Sequence, residues 1–178
     1  MDKFLNNIDL QNSIKDWDRK LSRSIHCHYE SAKHLANKHY GLGIPTIICV
    51  TIASTGIFAA STNKIDNNSW IGIASGLFGI VSAILSALQT FSKYSERASK
   101  HQQNASEFSS LKRELDLLVS FPPKEEEIDA TFKKFLEKYN NVSKQSEYIH
   151  PKIWDKCKDN YSKQKFQSEY FKKISSSN

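Results

Sequence analysis

Hydrophobic and polar positions along this chain change their pattern twice. From Leu10 the apolar or packing positions Leu10, Ile14, Trp17, Leu21, Ile25, His28, Ala32 and Leu35 recur at steps of three and four, which predicts an amphipathic helix with one packing stripe. The stripe then gives way to two runs without Asp, Glu, Lys or Arg, residues 40–63 and 67–92, with STNKIDNNS (61–69) lying between their apolar segments. Segments 42–60 and 70–88 are 19 residues each, long enough at about 1.5 Å per residue to cover roughly the 30 Å of a bilayer core. A transmembrane hairpin is the expectation. The competing one is an apolar hairpin buried inside a soluble bundle, which would need a larger core than the rest of the chain supplies.

Beyond the second span a one-sided stripe continues through Phe91, Tyr94, Ala98, His101, Ala105, Phe108, Leu111, Leu115 and Leu118, without Gly or Pro. The second span is therefore expected to run on, from about Trp70 to Val119, as one helix that leaves lipid for water. Pro122-Pro123 should end it. KEEE (124–127) then opens a further helix, where carboxylates suit the macrodipole, with Ile128, Phe132, Phe135, Tyr139 and Val142 on its inner face and a stop at His150-Pro151. Gly41, Gly43 and Pro45 are expected to kink or break the first long helix, because proline removes a donor and crowds the preceding turn. The fold class is all-α. The segments are an N-terminal amphipathic helix (1–41), a hairpin (42–91), a second helical hairpin (92–150) and a basic C-terminal segment (151–178), in which a shorter or broken helix is expected.

Charge adds orientation. Six basic residues precede the first span within 12–41 and five follow the second within 89–113, against Lys64 alone in the connecting loop, so both ends are expected to be cytoplasmic and the loop outside, with Trp70 at the outer interface. MDKFLNNIDLQNS lacks the apolar core of a signal peptide. The formal net charge of +6 and the lysines interleaved with aromatics after Lys152 suit anionic headgroups as well as nucleic acid, and the nearby membrane favours the headgroups. Three cysteines, Cys27, Cys49 and Cys157, are too few and too scattered for a disulfide framework and fit a reducing compartment.

Candidate chemistry is sparse. His26-Cys27-His28 places neighbouring side chains on different sides of a helix and does not converge as a metal site requires. Gly41-Leu-Gly43 lacks the third glycine and preceding strand of a dinucleotide loop. No catalytic, cofactor-binding or metal residues are assigned, and no enzyme activity is expected. The second span carries the better signal: Gly72, Ser75, Gly76, Gly79, Ser82, Ser86 and Gln89 share one face, suited to close helix packing or to lining water in a pore built by several chains. Neither span holds an ionisable side chain of the kind a proton relay uses. Phe108, Leu111, Leu115 and Leu118 form a second candidate surface, for coupling chains outside the membrane.

The runs WIGIASGLFGIVSAILSALQTFSKYSERASKHQQNASEFSSLKREL (70–115) and HYESAKHLANKHYGLGIPTIICVTIASTGIFAA (28–60) resemble the SLATT family of two-transmembrane effector domains. The resemblance covers about residues 10–150 and rests on GIP (43–45), LQTF (88–91), S-E-R-A-x-K-H (95–101) and LKRE (111–114). It implies a bacterial inner-membrane pore-forming effector of anti-phage systems, self-associating, encoded beside a nucleotide-second-messenger synthase or sensor, and triggered by a cyclic nucleotide or a partner protein. The family supplies no catalytic residues. Rival expectations are a membrane scaffold or adaptor without conduction, and a soluble helical interaction protein.

Overall fold

In the computed structural model, backbone is described for residues 8–61 and 69–163, and these are helical almost throughout. Helix α1 spans Ile8–Ser61, α2 Ser69–Ser92 and α3 Tyr94–Ser120; a 3-10 turn at Glu125–Glu127 leads into α4, Ile128–Gln145, and α5 covers Pro151–Lys163. The chain divides into two compact units, an extramembrane one of Met1–Ser31 with Gln102–Asn178 and a hairpin unit of Ala32–His101.

In the first unit the sequence stripes become a core. Ile14, Leu21, Phe108, Leu111, Leu115, Val119 and Phe135 are buried, with Trp17, Ile25, Phe132, Tyr139 and Val142 packed against them. Trp17 presents its ring edge-on to Phe135 and Tyr139, at centroid distances of 6.0 and 4.9 Å, geometries that aromatic quadrupoles favour. Of the four-residue coupling stripe, Phe108, Leu111 and Leu115 are inside the unit. Leu118 is half-buried, and Val119, one helical turn on from Leu115, is the residue that closes the core. Lys138 pairs with Glu114 at 2.6 Å on the rim.

The hairpin unit has the opposite composition inside and out. Its buried side chains include Thr46, Ala53, Ser75 and Ser82, while Ile47, Ile57, Phe58, Trp70, Ile73 and Leu77 are each at least 60% exposed. The apolar windows of its two helices are only 11% buried. In water that surface would be a large aggregation liability; in hydrocarbon it is the correct exterior. The soluble-bundle alternative fails on this exposure.

Four local expectations are refined. Helix α1 is not broken at Gly41, Gly43 and Pro45 but stays helical through them, although Pro45 supplies no N–H to the ladder. The second span does run on, as expected, from Trp70 to Ser120, with one residue out of helical conformation, Lys93, whose φ of 46° lies in the left-handed region; Arg97 N–H donates to the Lys93 carbonyl at 3.0 Å and resumes the ladder. Phe91 does not join the stripe and is 89% exposed, because the inner face of α2 follows Ser75, Ser82 and Gln89, and two residues past Gln89 is the other side of a helix. His150-Pro151 does not end α4, which stops at Gln145 where Ser146 turns extended. Pro151 instead opens α5, the first helical position where a missing N–H costs nothing, and the N–H groups of Ile153 and Trp154 reach the His150 carbonyl at 2.9 and 3.1 Å. The loop 62–68 and the segment after Lys163, with the aromatics Phe166 and Tyr170, lie outside the described residues.

Candidate functional site

The inner face of the hairpin unit is assembled from the smallest side chains on each helix. Gly56 of α1 lies against Ser75 of α2 so closely that an added Cβ would sit 2.9 Å from the Ser75 Cβ and closer still to its hydroxyl. Toward the other end, Gly43 faces Gln89, whose amide nitrogen would be 3.1 Å from a Cβ there. The Gln89 Nε2 also meets His39 Nδ1 at 3.2 Å, and beyond this pair Lys38 lies 5.8 Å from the centroid of Tyr94. These pairs step back along α1 as they step forward along α2, the register of an antiparallel hairpin. The missing side chain at Gly56 permits the two helices to approach, which is how membrane helices gain dispersion contact where lipid offers no hydrophobic drive, and the one at Gly43 leaves room for the Gln89 amide.

The hydroxyls in this interface turn back on their own helices. Ser75 donates to the Ile71 carbonyl and Ser82 to the Gly79 carbonyl, both at 2.8 Å, and on the exposed side Thr51 and Thr55 do the same toward Ile47 and Thr51. Each hydroxyl proton is thereby satisfied without water.

The seven-residue face expected on the second span therefore separates into two. Ser75, Ser82 and Gln89 belong to the hairpin interface. Gly72 and Gly76 are exposed, and a Cβ built at Gly72, Gly76 or Gly79 meets nothing within 4 Å; Ser86 is exposed as well. The glycine side of α2 is thus an open, backbone-deep strip not used by the described residues of the chain's own hairpin. Sequence reasoning missed Gly56, Thr46, Ala53 and His39, although Thr46, Ala53 and Gly56 lie seven and three residues apart, a small-residue spacing that marks one helical face.

The extramembrane unit holds its charges in a few defined places. Asp18, 3% exposed, meets Lys112 Nζ at 3.2 Å, and the same ammonium donates to Ser22 Oγ at 2.5 Å. Burial raises the Asp18 carboxyl above the usual carboxylate range, and the neighbouring Lys112 only partly offsets it; its Oδ2 is buried without a hydrogen-bond partner. Cys27 and Cys157, far apart in sequence, come together as free, buried thiols. Burial pushes both thiols up, and thiols held protonated in this way are packing groups, not nucleophiles. Among the described residues no group of three or more His, Cys, Asp or Glu side chains converges as a metal site; His28 of the HCH triplet stacks on Phe108 at 5.5 Å, with 22° between the rings.

Two long apolar helices, closely paired and outwardly greasy, joined to a polar helical unit with its own core, define a two-span helical membrane protein. The chain belongs to the SMODS and SLOG-associating 2TM effector domain family 5, a SLATT family, which matches residues 10–175. Neither the curated proteins nor the solved structures compared with it match this chain.

Proposed function

We propose that this membrane effector acts by self-association of its hairpins into an assembly that permeabilises the bilayer, without catalysis. The observation that carries the reading is the division of α2 into two faces: Ser75 and Gln89 are occupied by α1, while Gly72, Gly76 and Gly79 present bare backbone with nothing within 4 Å of a built Cβ. Two spans in one chain cannot enclose a channel, and an open glycine strip is the surface on which another chain's helix approaches closely. The family description supports an effector role in anti-phage systems tied to nucleotide signalling, in which the upstream partner is a second-messenger synthase or sensor, or a cyclic nucleotide acts directly.

The flanking basic residues, set against Lys64 alone in the loop, support insertion in the bacterial inner membrane with both ends cytoplasmic. The test is release of a trapped dye from liposomes of defined lipid by the purified full chain and by Gly76→Leu. Wild-type leakage that rises steeply with protein-to-lipid ratio and is lost in Gly76→Leu at equal insertion is the expected result. Equal leakage by both would remove the glycine strip from the mechanism, and no leakage by either would favour a non-conducting scaffold.

A further inference from the structure

The extramembrane unit contains an open cavity of about 460 Å³ between α1, α3, α4 and α5, lined on one side by Ser146, Glu147, Tyr148 and Ile149. We infer that this cavity is a binding site for an organic cation, an ammonium carried on an aromatic or extended apolar body. Its walls are rings: Phe108 and Tyr139 at the base, 6.0 Å apart, with Tyr148 and Trp154 nearer solvent. Aromatic faces attract cations through their quadrupoles, and several rings around one space form the cage by which ammonium groups are recognised.

Two carboxylates, Glu147 and Asp155, also line the cavity, and among the described residues that line it there is no Lys or Arg. A phosphate or carboxylate would therefore face like charge there and an ammonium would face opposite charge. One cation stands beside the site, the Arg23 guanidinium 5.9 Å from the Trp154 ring centroid, against the two carboxylates of Glu147 and Asp155. The volume sets the size class. It lies within the range of pockets that take small organic ligands and exceeds what a bare ammonium fills, so the remaining apolar wall needs an apolar body attached to the cation. Serine hydroxyls from Ser24 and Ser143 add orienting polar contacts.

This inference is independent of self-association and is tested separately, by calorimetric titration of the full-length protein in detergent micelles, with empty micelles subtracted. The probes are tryptamine, indole-3-propionate as the anion on the same ring, and a cyclic dinucleotide. Saturable tryptamine binding is expected, with the anion at least tenfold weaker. Asp155→Asn, a change at an exposed side chain that leaves the helix intact, should weaken tryptamine about fivefold, the scale of one solvent-exposed charge pair. Trp154→Leu should weaken it further, with circular dichroism confirming an intact fold. Equal binding of the anion would overturn the assignment. So would binding of the cyclic dinucleotide without tryptamine, or tryptamine affinity unchanged in both variants.

Discussion

The two units of this chain solve the same packing problem with opposite materials. In the extramembrane unit the large rings and branched side chains point inward, with Leu21, Leu115 and Phe135 each no more than 1% exposed. Along the two spans of the hairpin unit the buried side chains, among the described residues, are Thr46, Ala53, Ser75 and Ser82, with Gly56 packed against Ser75, and most large apolar ones point out. The difference follows from solvent. Water makes burial of apolar area the main driving force, about 25 cal/mol per Å², so the first unit hides it. Lipid removes that force and leaves backbone approach and dispersion, so the second unit hides its smallest groups and spends its bulk on the exterior.

The largest expected effect comes from reversing the rule in water. Phe135→Ala empties the centre of the extramembrane core and should cost on the order of 3 to 5 kcal/mol, read as a lower thermal midpoint of this unit and faster proteolysis between residues 102 and 145. Phe91→Ser, at a side chain 89% exposed, should leave that midpoint within about 0.5 kcal/mol of wild type. If the two changes cost the same, the contrast between the units as drawn is wrong.

Next in size is the hairpin interface. Gly56→Val forces a branched side chain against Ser75 where even a Cβ is too close, and should separate the spans enough to lower membrane abundance severalfold. Gly72→Val, where a Cβ meets nothing within 4 Å, should insert at wild-type abundance. Quantitative immunoblotting of washed membranes compares them, and a matching loss in both would mean that the two faces of α2 are not distinct.

Smaller effects come from the strained turn and the buried acid. Lys93→Gly relieves a left-handed backbone that costs a side-chain-bearing residue roughly 1 kcal/mol, so the thermal midpoint should rise by a few degrees; a fall would show that the Lys93–Glu96 contact at 3.7 Å outweighs the strain. For Asp18 the folded carboxyl is raised above its unfolded value. The folded state then holds the proton more tightly, and this group's contribution to stability grows as pH falls through the raised value and is lost as pH rises through it. Asp18→Asn should flatten that part of the profile between acid and neutral pH, measured as the difference between wild-type and variant midpoints. An identical slope in both proteins would assign the pH dependence elsewhere.

Much of this architecture was legible in the pattern of side chains. Steps of three and four from Ile14 to His28 and from Ala105 to Leu115 name buried or core-packed positions correctly, because in water burial and periodicity are the same fact. The hairpin was legible as two spans but not as an interface. Where lipid surrounds a helix, hydropathy no longer distinguishes inside from outside, and a GxxxG spacing shows where a close approach is allowed without showing which partner takes it. Gly72 and Gly76 drew attention on that spacing, yet the chain's own second helix is met by Gly56 and Gly43. Nor could spacing join Cys27 to Cys157 or form the cavity at Trp154, since both depend on how α5 returns to α1, a long-range contact with no local signature. The Lys93 interruption escaped for a related reason: nothing in FSKYSE breaks a helix by propensity.

The central claim is that one face of α2 closes the hairpin and the other meets a second copy of the chain. Disulfide cross-linking in native membranes tests it most directly, with single cysteines placed by Gly76→Cys or Ser82→Cys in a chain whose Cys27, Cys49 and Cys157 are replaced by alanine. The account predicts covalent dimers at Gly76→Cys and monomers at Ser82→Cys, whose side chain is held inside its own hairpin. Dimers at Ser82→Cys with none at Gly76→Cys, or the same yield at both positions, would contradict it.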